Sequence, residues 1–83
     1  MERETEMRQM RIRGIVIPVE WDAKGKAIKA AILTADEGEF LVEENTMGRK
    51  LLGMVQRVVE VRGLVRAEGG RKIITVEDYR SEL

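Results

Sequence analysis

The chain of 83 residues has no cysteine, no histidine, a single proline and only three aromatic residues, Trp21, Phe40 and Tyr79. Each shortage removes a class of answer. Without cysteine there is neither a disulfide nor a thiolate metal site. Without histidine the usual general base and the commonest transition-metal ligand are gone. No charge sign dominates, because fifteen Lys and Arg balance fifteen Asp and Glu. Global electrostatics therefore recommend no partner, and a nucleic-acid binder more often carries a clear positive excess. Long apolar runs are missing too. The amino terminus, Met1-Glu2-Arg3-Glu4-Thr5-Glu6, is charged with no hydrophobic stretch behind it. It does not read as a secretory signal, nothing approaches a membrane span, and the cytoplasm is the expected location.

What is present suits one small domain near the lower size limit for folding without covalent staples. The apolar share is 43%, and with so few aromatics the core must be built from Val, Ile, Leu and Met. Residues 1–10 alternate charges without a packing period and read as a flexible arm or a lead-in to a first strand. Residues 11–80 carry the domain, and 81–83 form a short tail.

Within the domain the patterns are those of strands. Arg11–Trp21 is rich in β-branched residues, with Ile12 and Val16 on one parity and Ile15, Ile17 and Val19 on the other. A long strand that bends between two parts of a barrel has this double character, and Pro18, lacking an amide donor, belongs at an edge or bulge. Asp22–Lys26 is a turn in which Gly25 supplies the left-handed residue. Ala27–Thr34 reads as a second strand with Ile28, Ala30 and Ile32 on one face, although its alanines also suit a helix. After a turn at Ala35–Gly38, Glu39–Glu43 forms a third strand. Asn45 or Thr46 caps a short helix that ends near Gly53, with Met47, Leu51 and Met54 near one face.

The last third is the most informative. Arg57–Ala67 alternates, placing Val59, Val61, Gly63 and Val65 on one face. Glu68-Gly69-Gly70 turns the chain, and Arg71–Tyr79 returns with Ile74 and Val76 inward. A glycine in mid-strand is costly unless the backbone bends sharply or passes close to another chain, so Gly63 marks a barrel corner.

Three strands, a short helix and a glycine-containing hairpin resemble the oligonucleotide/oligosaccharide-binding (OB) superfamily, in its small single-domain bacterial or anticodon-binding-type versions. The resemblance rests on Ile12-Arg13-Gly14-Ile15-Val16, on Val59-Glu60-Val61-Arg62-Gly63-Leu64-Val65 and on Ile73-Ile74-Thr75-Val76. It spans most of the chain and implies a mainly β fold: a five-stranded Greek-key barrel with one helix between strands three and four. It also implies binding across strands two and three, bordered by the first and last hairpins.

On that expectation Trp21, Lys24, Lys26 and Lys29 from the first hairpin, and Arg66, Arg71 and Lys72 from the last, are the candidate contacts for single-stranded DNA or RNA. Cations meet phosphates and the indole stacks on a base. The bland alternatives are that Trp21 closes the barrel, that Tyr79 caps the last strand, and that Phe40 is core. Residues 45–72 hold seven bases against two acids, but 36–44 hold five acids and no base, which repels phosphate on strand three. A two-signed surface of this kind also suits a protein partner, so beside a non-catalytic, weak single-stranded nucleic-acid-binding module the alternative is a protein-interaction or small-ligand adaptor. Catalysis has little support: Glu43-Glu44 and Glu77-Asp78 are expected on opposite strand faces, Ser81 has no base beside it, and Gly69-Gly70 serves a turn. No cofactor or metal is expected, beyond weak cation binding conceivable at the acidic 36–39 turn.

Overall fold

Fourteen residues form the longest element, β1 (Arg8–Trp21). It is followed by β2 (Ala27–Thr34), β3 (Gly38–Val42), the helix α1 (Thr46–Leu51), a 3-10 turn at Leu52–Met54, β4 (Val58–Glu68) and β5 (Arg71–Ser81). The computed structural model describes residues 7–36 and 38–82. The strands close into a barrel in the order β1-β2-β3-β5-β4. All neighbours are antiparallel except β3 and β5, which run parallel. The fold is thus a mainly β, five-stranded closed barrel with one short helix between β3 and β4.

β1 serves two neighbours by bending. Its first half pairs with β4 from Arg8 opposite Val65 to Ile15 opposite Val58, and its second half pairs with β2 from Ile15 opposite Leu33. The bend sits at Gly14, where any Cβ would run into the Leu33 carbonyl and the Ile32 side chain. Gly63 answers to the same physics. It is buried on β4, an added Cβ would collide with the Thr75 carbonyl, and a register shift begins beside it. Arg62 opposes Asp78 and Gly63 opposes Val76, which leaves Glu77 as the extra residue of a bulge. A one-residue insertion switches every later side chain to the other face. Ile74 and Val76 therefore point inward before the bulge, and Tyr79 packs against the core after it.

The interior is Ile12, Val16, Ala30, Ile32, Phe40, Val42, Leu51, Val59, Val61, Val65, Ile74 and Val76. Phe40 is wholly buried, and its ring alone contributes about 3 kcal/mol of transfer free energy. Leu51, Met47 and Met54 turn one side of α1 and the turn after it onto this core. Asn45 caps the helix, its Oδ1 accepting the Gly48 amide at 2.7 Å.

Four sequence expectations need correction. The arm is shorter than residues 1–10, since Arg8–Met10 already belong to β1 and Met10 packs on the core; residues 1–6 lie outside the described residues. The tail is shorter as well: Ser81 ends β5, and the Glu82 amide donates to the Val58 carbonyl at 2.9 Å. Gly53 does not terminate the helix. It sits within the 3-10 turn, and the left-handed residue that redirects the chain is Gln56, at φ 72°. Ile28 does not join Ala30 and Ile32 inside. Glu20 opposes Lys29 while Trp21 opposes Ala27, so Ile28 is displaced into a bulge and is 47% exposed. Pro18 stands where the sequence predicts, next to the irregularity at Val19.

Candidate binding surface

The outward side chains of the barrel fall into two regions of opposite character. Across β1, β4 and the second half of β5 the surface is a lattice of ion pairs. Arg13 Nε meets Glu82 at 2.8 Å, Arg80 meets Glu60 at 2.5 Å, and Arg62 reaches Asp78 at 3.5 Å and Glu77 at 4.0 Å. Glu77 and Asp78 were expected to diverge; the bulge puts both within reach of one guanidinium. Neither is left as a free acid or base.

The other region spans the second half of β1, β2, β3 and the first half of β5. Its central row runs Ile17, Ala31, Leu41 and Ile73, each opposite the next across the strands. Ala31 and Ile73 are buried yet do not belong to the interior cluster. Ile15 and Leu33 form the next row, where Leu33 is 44% exposed and stands opposite Glu39. The result is an apolar stripe on the outer wall, along the surface where the OB resemblance expects a ligand.

The seven predicted contacts divide around this stripe. Trp21, Lys24 and Lys26 stand together at the β1–β2 hairpin, with Lys29 outward on β2. Trp21 is 54% exposed, so it does not close the barrel. The turn beneath it is ordered: Asp22 Oδ1 accepts the amides of Lys24 and Lys26, each at 2.9 Å, and Gly25 takes a φ of 85°. Those amides, Lys26 first and then Lys24, hold the Asp22 carboxyl below its ordinary value.

Arg66, Arg71 and Lys72 lie toward the other hairpin, level with the far part of β2, because Phe40 opposes both Ile32 and Lys72. From Ala27 to Ile32 is roughly 17 Å at about 3.3 Å per residue. Arg66 is committed elsewhere. Its guanidinium lies 2.7 Å from Glu43 and 3.6 Å from Glu68, and its pKa is raised chiefly by the hydrogen bond to Glu43. The Lys72 ammonium sits 4.7 Å from the centroid of the Phe40 ring, a cation–π contact at the barrel end. Arg71 is exposed on the hairpin beside a groove of about 230 Å³ lined by Glu39, Leu41, Gly70, Arg71 and Lys72.

The basic run over 45–72 is likewise dispersed, with Arg49 on Glu44, Arg62 on Glu77 and Asp78, and Arg66 on Glu43 and Glu68. The cation site expected at the 36–39 turn includes Glu37, which lies outside the described residues. Sequence reasoning missed the outer stripe. Its signal was present in the double apolar parity of Ile15, Ile17 and Val19, which reads as bending alone until Ala31, Leu33, Leu41 and Ile73 are placed beside it.

No protein-family model, curated protein or solved structure matches this chain. No helix among the described residues is long and apolar enough to cross a membrane.

Proposed function

We propose that this protein is a non-catalytic binding module of the OB superfamily that docks a protein partner on the outward face of β1, β2, β3 and β5. Superfamily membership is supported by the strand order, by the parallel β3–β5 contact and by the helix between β3 and β4. The observation that carries the docking reading is the outward apolar row of Ile17, Ala31, Leu41 and Ile73, flanked by a Leu33 that is 44% exposed. An apolar centre with a charged rim is how a specific protein interface is organised. A phosphate backbone gains nothing from Leu33 and Leu41, and Glu39, unpaired among the described residues, repels it.

One observation favours a second reading. Trp21 is exposed on an ordered hairpin beside Lys24, Lys26 and Lys29, and this arrangement suits weak stacking and phosphate contact with single-stranded nucleic acid. The two readings separate in one pair of measurements. A photo-crosslinking residue at position 33 captures a protein partner if the face docks one, and a charged residue at position 41 abolishes the capture. Titration with single-stranded DNA and RNA leaves Trp21 fluorescence unchanged. A quench that weakens with salt at a log–log slope of about −0.7 per phosphate, with no crosslink at position 33, transfers the function to the hairpin and to nucleic acid.

A further inference from the structure

We infer that the partner docked on this face is a second copy of the same chain, in a two-fold contact centred on β3 and β5. The inference rests on the reading that the apolar stripe docks a protein, and it names which one.

Three observations lead to it. First, β3 and β5 are parallel, so equivalent positions advance together. Leu41 lies beside Ile73, and two residues earlier on each strand Glu39 and Arg71 line one groove. An apolar pair is thus followed, toward the same barrel end, by a pair of opposite charges. Second, those charges are unspent. Among the described residues neither Glu39 nor Arg71 has an ion-pair partner, although they flank one groove. On the other face Arg13, Arg62 and Arg80 are each paired within the chain. Third, the neighbouring Glu43 is already held by Arg66 at 2.7 Å, so it does not compete for an incoming cation.

An isologous contact requires a surface that complements itself. Consider a two-fold axis lying in the contact plane, along the strands and between β3 and β5. Rotation about it sets Leu41 against the partner's Ile73, and Ile73 against the partner's Leu41. The same rotation sets Glu39 against the partner's Arg71, and Arg71 against the partner's Glu39. Every charge meets its opposite and the apolar pair meets itself. An axis along β3 alone would set Glu39 against the partner's Glu39, which repels. The net charge of zero adds no global repulsion between copies. Because two convex barrels touch along a limited strip, the dimer is reversible and dependent on concentration.

Sedimentation equilibrium from low to high micromolar protein tests this. The unaltered chain is expected to self-associate to a dimer. Glu39→Arg and Arg71→Glu should each weaken association about tenfold, the size of effect a close interfacial charge pair carries. The double variant, which reverses both charges, should restore it. Leu41→Asp should leave a folded monomer, with circular dichroism verifying the fold of every variant. A chain that stays monomeric throughout, a dimer indifferent to Leu41→Asp, or a double swap that fails to rescue two folded, weakened single variants overturns the inference. If the chain is monomeric while position 33 still crosslinks a different protein in a manner lost on Leu41→Asp, the docking face stands and the second copy falls. If the chain is monomeric and position 33 captures nothing, both fall.

Discussion

The two outward faces of this barrel share β1 and β5, yet one is a lattice of ion pairs and the other an apolar stripe with charges at its edge. On the first, Arg13, Arg62 and Arg80 meet Glu82, Glu77, Asp78 and Glu60. On the second, Ile17, Ala31, Leu41 and Ile73 run across four strands. The division falls where the chain bends. β1 passes from one face to the other at Gly14, and β5 does so at the bulge opposite Gly63. A strand that changes neighbours midway can present two unrelated surfaces. A small barrel thereby keeps one wall polar and solvated while leaving the other for a partner.

The largest expected effect comes from removing the bend that separates the faces. Gly63→Ala forces a Cβ against the Thr75 carbonyl, a backbone atom that cannot step aside without opening the β4–β5 ladder. A loss of about 3 kcal/mol is expected from such overpacking, read as a lowered urea midpoint. A loss under half of that would mean that the corner is not held by close approach.

The apolar face comes next. Ile73→Ala should cost about 2 kcal/mol, because Ile73 is only 9% exposed even though it stands outside the interior cluster. Thermal unfolding checks this, and a negligible change would mean that the outer stripe contributes no packing of its own.

On the charged face the effects should be small. Arg80→Ala breaks the pair with Glu60, whose partners are 72% and 23% exposed. Exposed ion pairs of this kind contribute about 0.2–1 kcal/mol. The difference from the unaltered chain should shrink further in high salt, as screening requires. A salt-insensitive loss as large as that for Ile73→Ala would erase the contrast between the faces.

The smallest effect is a pH response at the hairpin that carries Trp21. The Asp22 carboxyl is held below its ordinary value of 3.8 by the amides of Lys26 and Lys24. A carboxyl with a depressed folded pKa adds stability that is present above its unfolded value. That stability is lost as pH falls through the lower, folded one. The Lys24 and Lys26 amide resonances should therefore hold steady at neutral pH and shift together in acid, with a common midpoint below 3.8. An Asp22→Ala variant should show no such coupled transition.

Much of this architecture was legible in the residues. Strict alternation from Val59 to Val65 placed β4 correctly, because a period of two admits one burial pattern. Gly63 announced its corner, since a strand-interior glycine needs a backbone reason. Phe40 as core followed from residue chemistry alone, which also narrowed the helix cap to Asn45 or Thr46. Ile28 was misplaced because a bulge inserts one residue and reverses parity, and nothing in Ala27–Thr34 marks where that insertion falls. Trp21 could not be assigned to core or solvent for the same reason. Arg66 looked like a free cation because its carboxylate partner, Glu43, lies twenty-three positions away in the chain.

The amino-acid sequence by itself determined the five-stranded order, the inward faces and the sharp bends, all of which arise from periodicity and from backbone limits local to a few residues. Only the closed barrel decided which outward side chains became neighbours. It brought Ile17, Ala31, Leu41 and Ile73 into one row, and it bound Arg66 to Glu43 while leaving Glu39 and Arg71 without ion-pair partners among the described residues. Those relations depend on register between strands distant in sequence, and a single bulge resets that register for everything beyond it.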